Sequence, residues 1–163
     1  MSIKYKNIKT KLQNQIKDNA LVDRQPYVEL AFDQHKASSD IKDLKQGDVL
    51  VHSTVSFGQS TRLTLGLQAT MAAGLLSCDV YTRLDSVSEN KGLEEAGAIR
   101  NFYAALDKQS FNVGKNQSGT AVNHLVRYDA PIGPERIEDK STGTSLVQVR
   151  IPFEIEDILD GIG

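Results

Sequence analysis

The sequence contains a single cysteine, Cys78. An intrachain disulfide is therefore impossible, and a metal site built from several cysteines is excluded. The longest weakly polar stretch, 63–76, includes threonine, glutamine and small residues, and it is shorter than the roughly 20 apolar residues that a membrane span needs. The first residues also lack the apolar core of a signal peptide. We therefore expect synthesis in the cytoplasm and no membrane insertion.

An excess of basic residues is lacking as well. Nineteen Lys and Arg residues stand against 21 Asp and Glu, which gives a net charge of −2 and a pI near 5.9. A dedicated nucleic-acid binder normally carries a basic stripe, so we predict neither such a stripe nor sequence-specific contact with nucleic acid. Ordinary hydrophobic and charged fractions, 39% and 25%, indicate one folded domain over 1–163.

Motifs that carry reaction chemistry are missing from the sequence. His35, His52 and His124 lie in separate segments without a second ligand at a metal-binding spacing, so packed or interface histidines are predicted. The glycines form neither a phosphate-binding loop nor a nucleophile elbow. The run 85–91 lacks the glycine and the final glutamate of a calcium loop. Cys78 falls on the apolar side of a predicted strand, where a buried thiol is expected. We predict no catalytic residue, no cofactor and no metal ligand, and hence no enzyme.

Apolar periodicity predicts two amphipathic helices. In the first, apolar residues recur at intervals of three and four, namely Tyr5, Ile8, Leu12 and Ile16. This helix should end before Pro26, because a proline disfavours helical geometry in the residue that precedes it. The second helix should run from about 90 to 109, behind capping residues at 86–90, with its core positions at Leu93, Ala96, Ile99, Phe102, Tyr103 and Leu106.

Alternation of apolar and polar residues predicts the strands, at 27–32, 49–57, 61–65, 76–84, 122–128, 135–138 and 145–155. The segment 58–60 has the size of a hairpin turn between two of them, whereas 68–74 leaves helix and strand undecided. Pro152 has no N–H to donate, so we expect it at a sheet edge or a bulge. The acidic tail, 156–163, is expected either to be flexible or to dock on a neighbour.

Runs of strands that flank two helices indicate an α+β fold, with a mostly antiparallel sheet and two helices packed on one face. Two connections, 33–48 and 110–120, are predicted as loops. A loop as long as 33–48 commonly belongs to a binding or interface function. Within it, the alternating charges at 40–45 fit either a docking loop or a solvated linker.

Several segments resemble the tail terminator proteins of long-tailed bacteriophages. The strand 73–81 (AGLLSCDVY) leads through a polar turn into a helix that ends AIRNF at 98–102. The segments 132–137 (IGPERI) and 147–153 (VQVRIPF) match the final hairpin of that family. The opening helix suits its first element. The resemblance covers 1–20 and 72–157, while 32–67 is longer than the family pattern.

The resemblance implies an α+β subunit that forms a hexameric ring at the head-proximal end of the tail tube of the virion, made in the host cytoplasm. Such a ring stops tube polymerisation and joins the tail to the head. The implied partners are other copies of the chain, the tail tube protein and a head completion or neck protein, with DNA passing through the channel. Two alternatives stay open: a head-closure or neck protein, and a small enzyme or ligand-binding module with a dispersed site.

Candidate interface residues come from loops and strands. The loops 33–48 and 111–120 contribute Asp33, Lys36, Asp40, Lys42, Asp43, Lys45, Asn112 and Lys115. The strands contribute Arg62, Arg83, Arg127 and Arg150. Each of these arginines either pairs across an interface between subunits or is solvated on a sheet face.

Overall fold

The computed structural model describes residues 4–21, 28–31, 44–62, 69–115, 117–139 and 143–158, without the side chains of 28–31, 59–62, 69–70, 138–139 and 157–158. The elements follow in this order: α1 (Tyr5–Gln15) with a π-helical turn (Ile16–Ala20), β1 (Val28–Ala31), β2 (Val49–Arg62), β3 (Ala69–Arg83), α2 (Ser86–Ala104), β4 (Lys108–Lys115), β5 (Ala121–Tyr128), β6 (Ile132–Asp139) and β7 (Thr144–Ile158).

The seven strands form one sheet in the order β1-β2-β3-β7-β5-β4, and β6 also pairs with β7. Every pair is antiparallel except β1 with β2, which is parallel. The predicted α+β class with a mostly antiparallel sheet is therefore confirmed.

Both helices pack against the same face of this sheet. The helices bury Ile8, Leu12, Ile16, Ala96, Ile99 and Tyr103, and the strands meet them with alternate residues such as Leu76, Cys78, Val80, Val149, Ile151 and Phe153. Alternation with a period of two is what places every second strand residue on one face. The two-helix layer and the buried side of the predicted strands 76–84 and 145–155 are confirmed.

Two glycines allow close packing within this core. A Cβ atom on Gly74 of β3 would lie 2.3 Å from Cζ of Phe153, whose ring occupies the space beside that glycine. A Cβ atom on Gly92 of α2 would lie 2.7 Å from Cγ2 of Thr82 in β3. Gly92 costs the helix some intrinsic stability, and it lets α2 approach the sheet closely.

Pro152 does not lie on an edge strand, because β7 is central. β7 pairs with β6 up to Arg150 and with β5 from Phe153 onward. The Pro152 carbonyl accepts a hydrogen bond from the Asp129 N–H at 2.9 Å on that side, and the amide of a strand residue points to the same side as its carbonyl. The missing donor of Pro152 therefore faces the junction between β6 and β5, where the ladder is interrupted. Of the two expected positions, the sheet edge is wrong, and Pro152 lies instead where the ladder changes from β6 to β5.

Three further boundaries differ from the predictions. β2 continues through 58–60 to Arg62 with an irregularity between Phe57 and Ser60, so the predicted hairpin turn and the return strand 61–65 are wrong. The predicted connection 110–120 contains most of β4, and the undecided stretch 68–74 belongs to β3 from Ala69 onward.

The second helix is α2, which begins at Ser86 and ends at Ala104 instead of near 109. Its predicted core residue Leu93 is 53% exposed. The first helix and the strands 122–128 and 135–138 are found with ends shifted by up to three residues. The predicted strand 49–57 is the first part of β2, and 28–31 of the predicted strand 27–32 is described, as β1. Most of the predicted loop 33–48 and the end of the acidic tail lie outside the described residues.

Candidate interaction surface

The face of the sheet opposite the helices, which we call the open face, presents the remaining alternate residues of the strands. Its register aligns one row of mostly apolar side chains across β2, β3, β7 and β6, namely Leu50, Tyr81, Leu146 and Ile137. Leu50 is buried under Leu44 and Tyr81, whereas Ile137 at the end of the row is 42% exposed. This row forms an apolar strip on the open face.

The neighbouring row on the open face is polar and consists of His52, Asp79, Gln148 and Glu135. The Gln148 amide donates to Oδ1 of Asp79 at 2.8 Å. His52 is buried, and its Nε2 atom has no hydrogen-bond partner among the described residues. Burial raises the pKa of Tyr81, and the nearby charge of Asp79 raises it further. Tyr81 therefore stays neutral at physiological pH.

Three of the four predicted arginines lie on the open face, and each has a carboxylate neighbour. The pairs are Arg127 Nε with Glu156 Oε1 at 3.1 Å, Arg150 with Glu135 Oε2 at 3.5 Å, and Arg83 Nε with Asp85 Oδ2 at 3.8 Å. Such exposed pairs each contribute about 0–1 kcal/mol to stability. The open face therefore carries fixed charges of both signs, and the arginines are paired within the chain. The fourth, Arg62, lies opposite Thr70 in the ladder between β2 and β3, and its side chain is not described.

The predicted loop residues are only partly described. Asp33, Lys36, Asp40, Lys42 and Asp43 lie outside the described residues. Lys45 is exposed in the turn that precedes β2. Asn112 and Lys115 are exposed residues of β4 rather than of a loop. The ion pairs that the three arginines form on the open face include neither Lys45 nor Asn112 nor Lys115.

The histidine and cysteine predictions can be compared with the structure at His52, His124 and Cys78, all of which are buried. His124 is buried, and its Nε2 atom accepts a hydrogen bond from the Lys4 N–H at 3.1 Å. It therefore joins β5 to the start of α1, as a packed histidine would. Cys78 is also buried, and burial, followed by the charge of Asp79, raises the pKa of its thiol far above the ordinary value. The thiol stays protonated, as expected of a structural cysteine. His35 is outside the described residues.

The run 85–91, which has a faint similarity to a calcium loop, forms the start of α2. Asp85 caps this helix, because Oδ1 accepts the Ser88 N–H and Oδ2 accepts the Ser88 hydroxyl, both at 2.9 Å. The backbone hydrogen bond from Ser88 is the main cause that lowers the pKa of Asp85. In the part of the chain that the structure describes, no three His, Cys, Asp or Glu side chains are grouped to hold a metal ion. Neither described helix is long and apolar enough to cross a membrane.

A second polar surface lies on the helix side, between α1 and β4. An open depression of about 500 Å³ is lined by Asn7, Thr10, Lys11, Asn14, Asn112, Val113 and Gly114. Residues 4–21, which include α1 and its π-helical turn, also hold five lysines and one acidic residue. The charge balance of the whole chain hides this local excess of lysine. A charge count over the first 21 residues, instead of the whole chain, would have found it.

The sequence matches no protein-family model, and no curated protein is similar to it.

Proposed function

We propose that the chain is a tail terminator subunit of a long-tailed phage virion, with an assembly function and no catalytic one. Copies of it form a ring that caps the head-proximal end of the tail tube. The ring contacts the tail tube protein on one side and a head completion or neck protein on the other. The observation that carries the proposal is the open face, a sheet surface on which neither described helix packs and which combines an apolar strip with charges of both signs.

The open face has the composition of a protein interface. Aromatic and aliphatic side chains at the centre of an interface supply most of the binding energy, and a polar rim surrounds them. Tyr81, Leu146 and Ile137 provide such a centre, and the paired arginines at 127 and 150 lie on the same face. Charges of both signs favour one orientation of the partner over others, because like charges repel when they are juxtaposed.

A ring also requires that two different surfaces of each subunit meet. A heterologous contact closes into a ring when the rotation that relates neighbouring subunits brings the last subunit back to the first. The open face is one such surface, and the ends of the described sheet, at β1 and β4, are different ones. The fold thus offers dissimilar surfaces to its neighbours, which supports the proposal.

The test compares two exposed aliphatic side chains on opposite faces. Ile137→Asp introduces a charge into the apolar strip of the open face, whereas Leu93→Asp introduces the same charge on α2. Both residues are about half exposed, at 42% and 53%, so neither change should unfold the chain. In a mixture with polymerising tail tube protein, we expect the native chain and L93D to limit tube length and I137D to leave the tubes to grow on.

Two results would contradict the proposal. One is that the native chain leaves tube length unchanged. The other is imaging of the virion that assigns density of this chain anywhere except the junction between tail tube and connector. Density on the head side of that junction would favour the neck alternative. Equal capping by I137D and L93D would instead move the proposed contact away from the open face.

A further inference from the structure

The charge of the chain is divided unevenly between α1 and the rest. Residues 4–21 hold one acidic residue, Asp18, and five lysines, namely Lys4, Lys6, Lys9, Lys11 and Lys17. This segment is therefore +4, and the remaining 14 basic and 20 acidic residues of the chain sum to −6. Such an asymmetry concentrates a positive potential on one helix of a weakly acidic protein.

The exposed side of α1 consists almost entirely of hydrogen-bond donors. Its exposed residues from Lys6 to Lys17 are Lys6, Asn7, Thr10, Lys11, Asn14 and Lys17. None of them is apolar or aromatic. The helix's aromatic residue, Tyr5, packs edge-on against Phe57 with the ring centroids 4.8 Å apart. Within the described residues, no lysine of α1 forms an ion pair.

This composition argues against a protein partner on α1. The centres of protein interfaces are enriched in aromatic residues and depleted of lysine. An added peptide strand is also disfavoured at the end of the β4 edge beside α1, because two backbone groups there already have partners. Asn7 donates its side-chain amide to the Val113 carbonyl, and the Gly114 N–H donates to Oδ1 of Asn112 at 2.9 Å.

Lysine, asparagine and threonine side chains are the groups that contact the phosphates of nucleic acids without reading bases. Proteins that hold single strands add aromatic side chains on which the bases stack, and the exposed side of α1 offers none. A duplex backbone therefore fits this surface better than a single strand does.

The start of α1 also carries charge of the unfavourable sign. Lys4 and Lys6 lie at the positive end of the helix dipole, and the first turn has no acidic residue and no side-chain cap. Cations at that end are destabilising, and a nearby anion offsets the effect. A phosphate backbone along α1 would supply that anion.

We propose that the exposed side of α1, with the depression between α1 and β4, binds the phosphate backbone of duplex DNA without reading its sequence. The lysines provide the charge, and the side chains of Thr10, Asn14 and Asn112 provide further polar contacts. The inference does not depend on ring formation, since it concerns a surface of the single chain.

The test measures fluorescence anisotropy of a labelled 24-base-pair duplex titrated with the full chain. If four lysines neutralise phosphates, the logarithm of the association constant should fall against the logarithm of salt concentration with a slope of about −3.6. Between 50 and 200 mM salt this slope means a loss of affinity of about 150-fold. The triple variant Lys6→Gln, Lys11→Gln, Lys17→Gln should reduce the slope by about 2.7.

Two control variants separate this surface from net charge. Lys45→Gln, Lys91→Gln and Lys108→Gln together remove the same charge from exposed positions outside α1 and should leave the slope unchanged. Replacement of Lys6, Lys11 and Lys17 by arginine should also retain it. Two duplexes of unrelated sequence should bind equally.

The inference is overturned if the native chain fails to bind the duplex at 50 mM salt, or if the two glutamine triple variants lose affinity equally. Tighter binding to polyglutamate of matched charge than to DNA would also overturn it, because the partner of α1 would then be an acidic protein. Far-UV circular dichroism of every variant confirms that the fold is intact.

Discussion

Replacing Gly74 with alanine should destabilise the protein, although alanine is ordinarily the better residue inside a strand by about 0.5–1 kcal/mol. The reason is the ring of Phe153 in the neighbouring strand. A Cβ atom at position 74 would lie 2.3 Å from Cζ, 2.5 Å from Cε2 and 3.0 Å from Cε1 of that ring, where ordinary contacts begin at 3.4 Å. The ring would therefore have to move by about 1 Å, given these distances and the close packing of protein interiors.

Phe153 has little room for such a movement. Its side chain is 1% exposed, and Phe57 packs edge-on against it with the ring centroids 6.1 Å apart. Overpacking of a well-filled core costs about 1–3 kcal/mol. Since the strand preference of alanine offsets part of this cost, we expect G74A to lose about 1–2 kcal/mol.

Urea unfolding followed by circular dichroism can measure this loss in a double-mutant cycle. Phe153→Ala alone should cost about 3–5 kcal/mol, because it leaves a cavity in the core. In the double variant, the methyl group at position 74 enters the vacated space instead of meeting a ring. The combined loss should therefore be smaller than the sum of the single losses by at least about 1 kcal/mol.

Two outcomes would refute this reasoning. G74A could be as stable as the native chain, which would mean that the ring of Phe153 moves aside at no cost. Alternatively, the losses in the cycle could add within about 0.5 kcal/mol, as they do for residues that do not interact. The slope of free energy against urea must be equal in all four proteins, since a changed slope indicates a change in the surface exposed on unfolding.

Three further predictions use features of the helices and of the core. In α2, G97A should stabilise the protein by up to about 1 kcal/mol, because no described residue comes within 4 Å of its added methyl group, whereas G92A should destabilise it through the contact with Thr82. The melting temperatures of the two variants should shift in opposite directions. The pKa of Asp85 is lowered in the folded state, so its contribution to stability is complete above the ordinary pKa of 3.8 and is lost as the pH falls through the lowered value. Between pH 6 and pH 2 the melting temperature should therefore fall less for D85N than for the native protein, because asparagine still caps the helix but has no charge to titrate. The thiol of Cys78 should resist a disulfide reagent in the native protein and react in urea, because burial keeps it protonated and inaccessible.

The elements that the sequence predicts correctly are those with one face in the core. The alternation in 145–155 and the apolar spacing of the first helix follow from burial on one side, and both are found in β7 and α1. The register of β7 cannot be predicted in the same way. Its partners in β3 and β5 are distant in the sequence, and only the folded sheet brings them to β7. β6 differs, because it precedes β7 in a hairpin in which Asp139 pairs with Thr144.

The wrong boundaries share a physical cause. Glycine and serine occur both in turns and at strand irregularities, so 58–60 could not be assigned from composition. β4 contains Asn112 and Gly114, which are uncommon in strands, and pairing with β5 holds it in the sheet. In both places, tertiary contacts override the local preference of the residues.

The candidate surfaces were predictable to different extents. Alternation places Arg127 and Arg150 on one sheet face, as the structure has them. Their carboxylate partners, Glu156 and Glu135, could not be identified, because the two pairs depend on the strand register. The positive charge of the α1 lysines is hidden for another reason, because acidic residues elsewhere cancel it in the net charge of the whole chain.

The position of β7 has a consequence for biosynthesis. β7 follows all the other strands in the sequence, yet it lies between β3 on one side and β5 and β6 on the other. While the ribosome is still translating the residues before 144, β3 lacks one of its two partners and β5 and β6 are separated from the rest of the sheet. Strand edges, which are prone to aggregation, therefore stay unpaired in the nascent chain until β7 emerges from the exit tunnel.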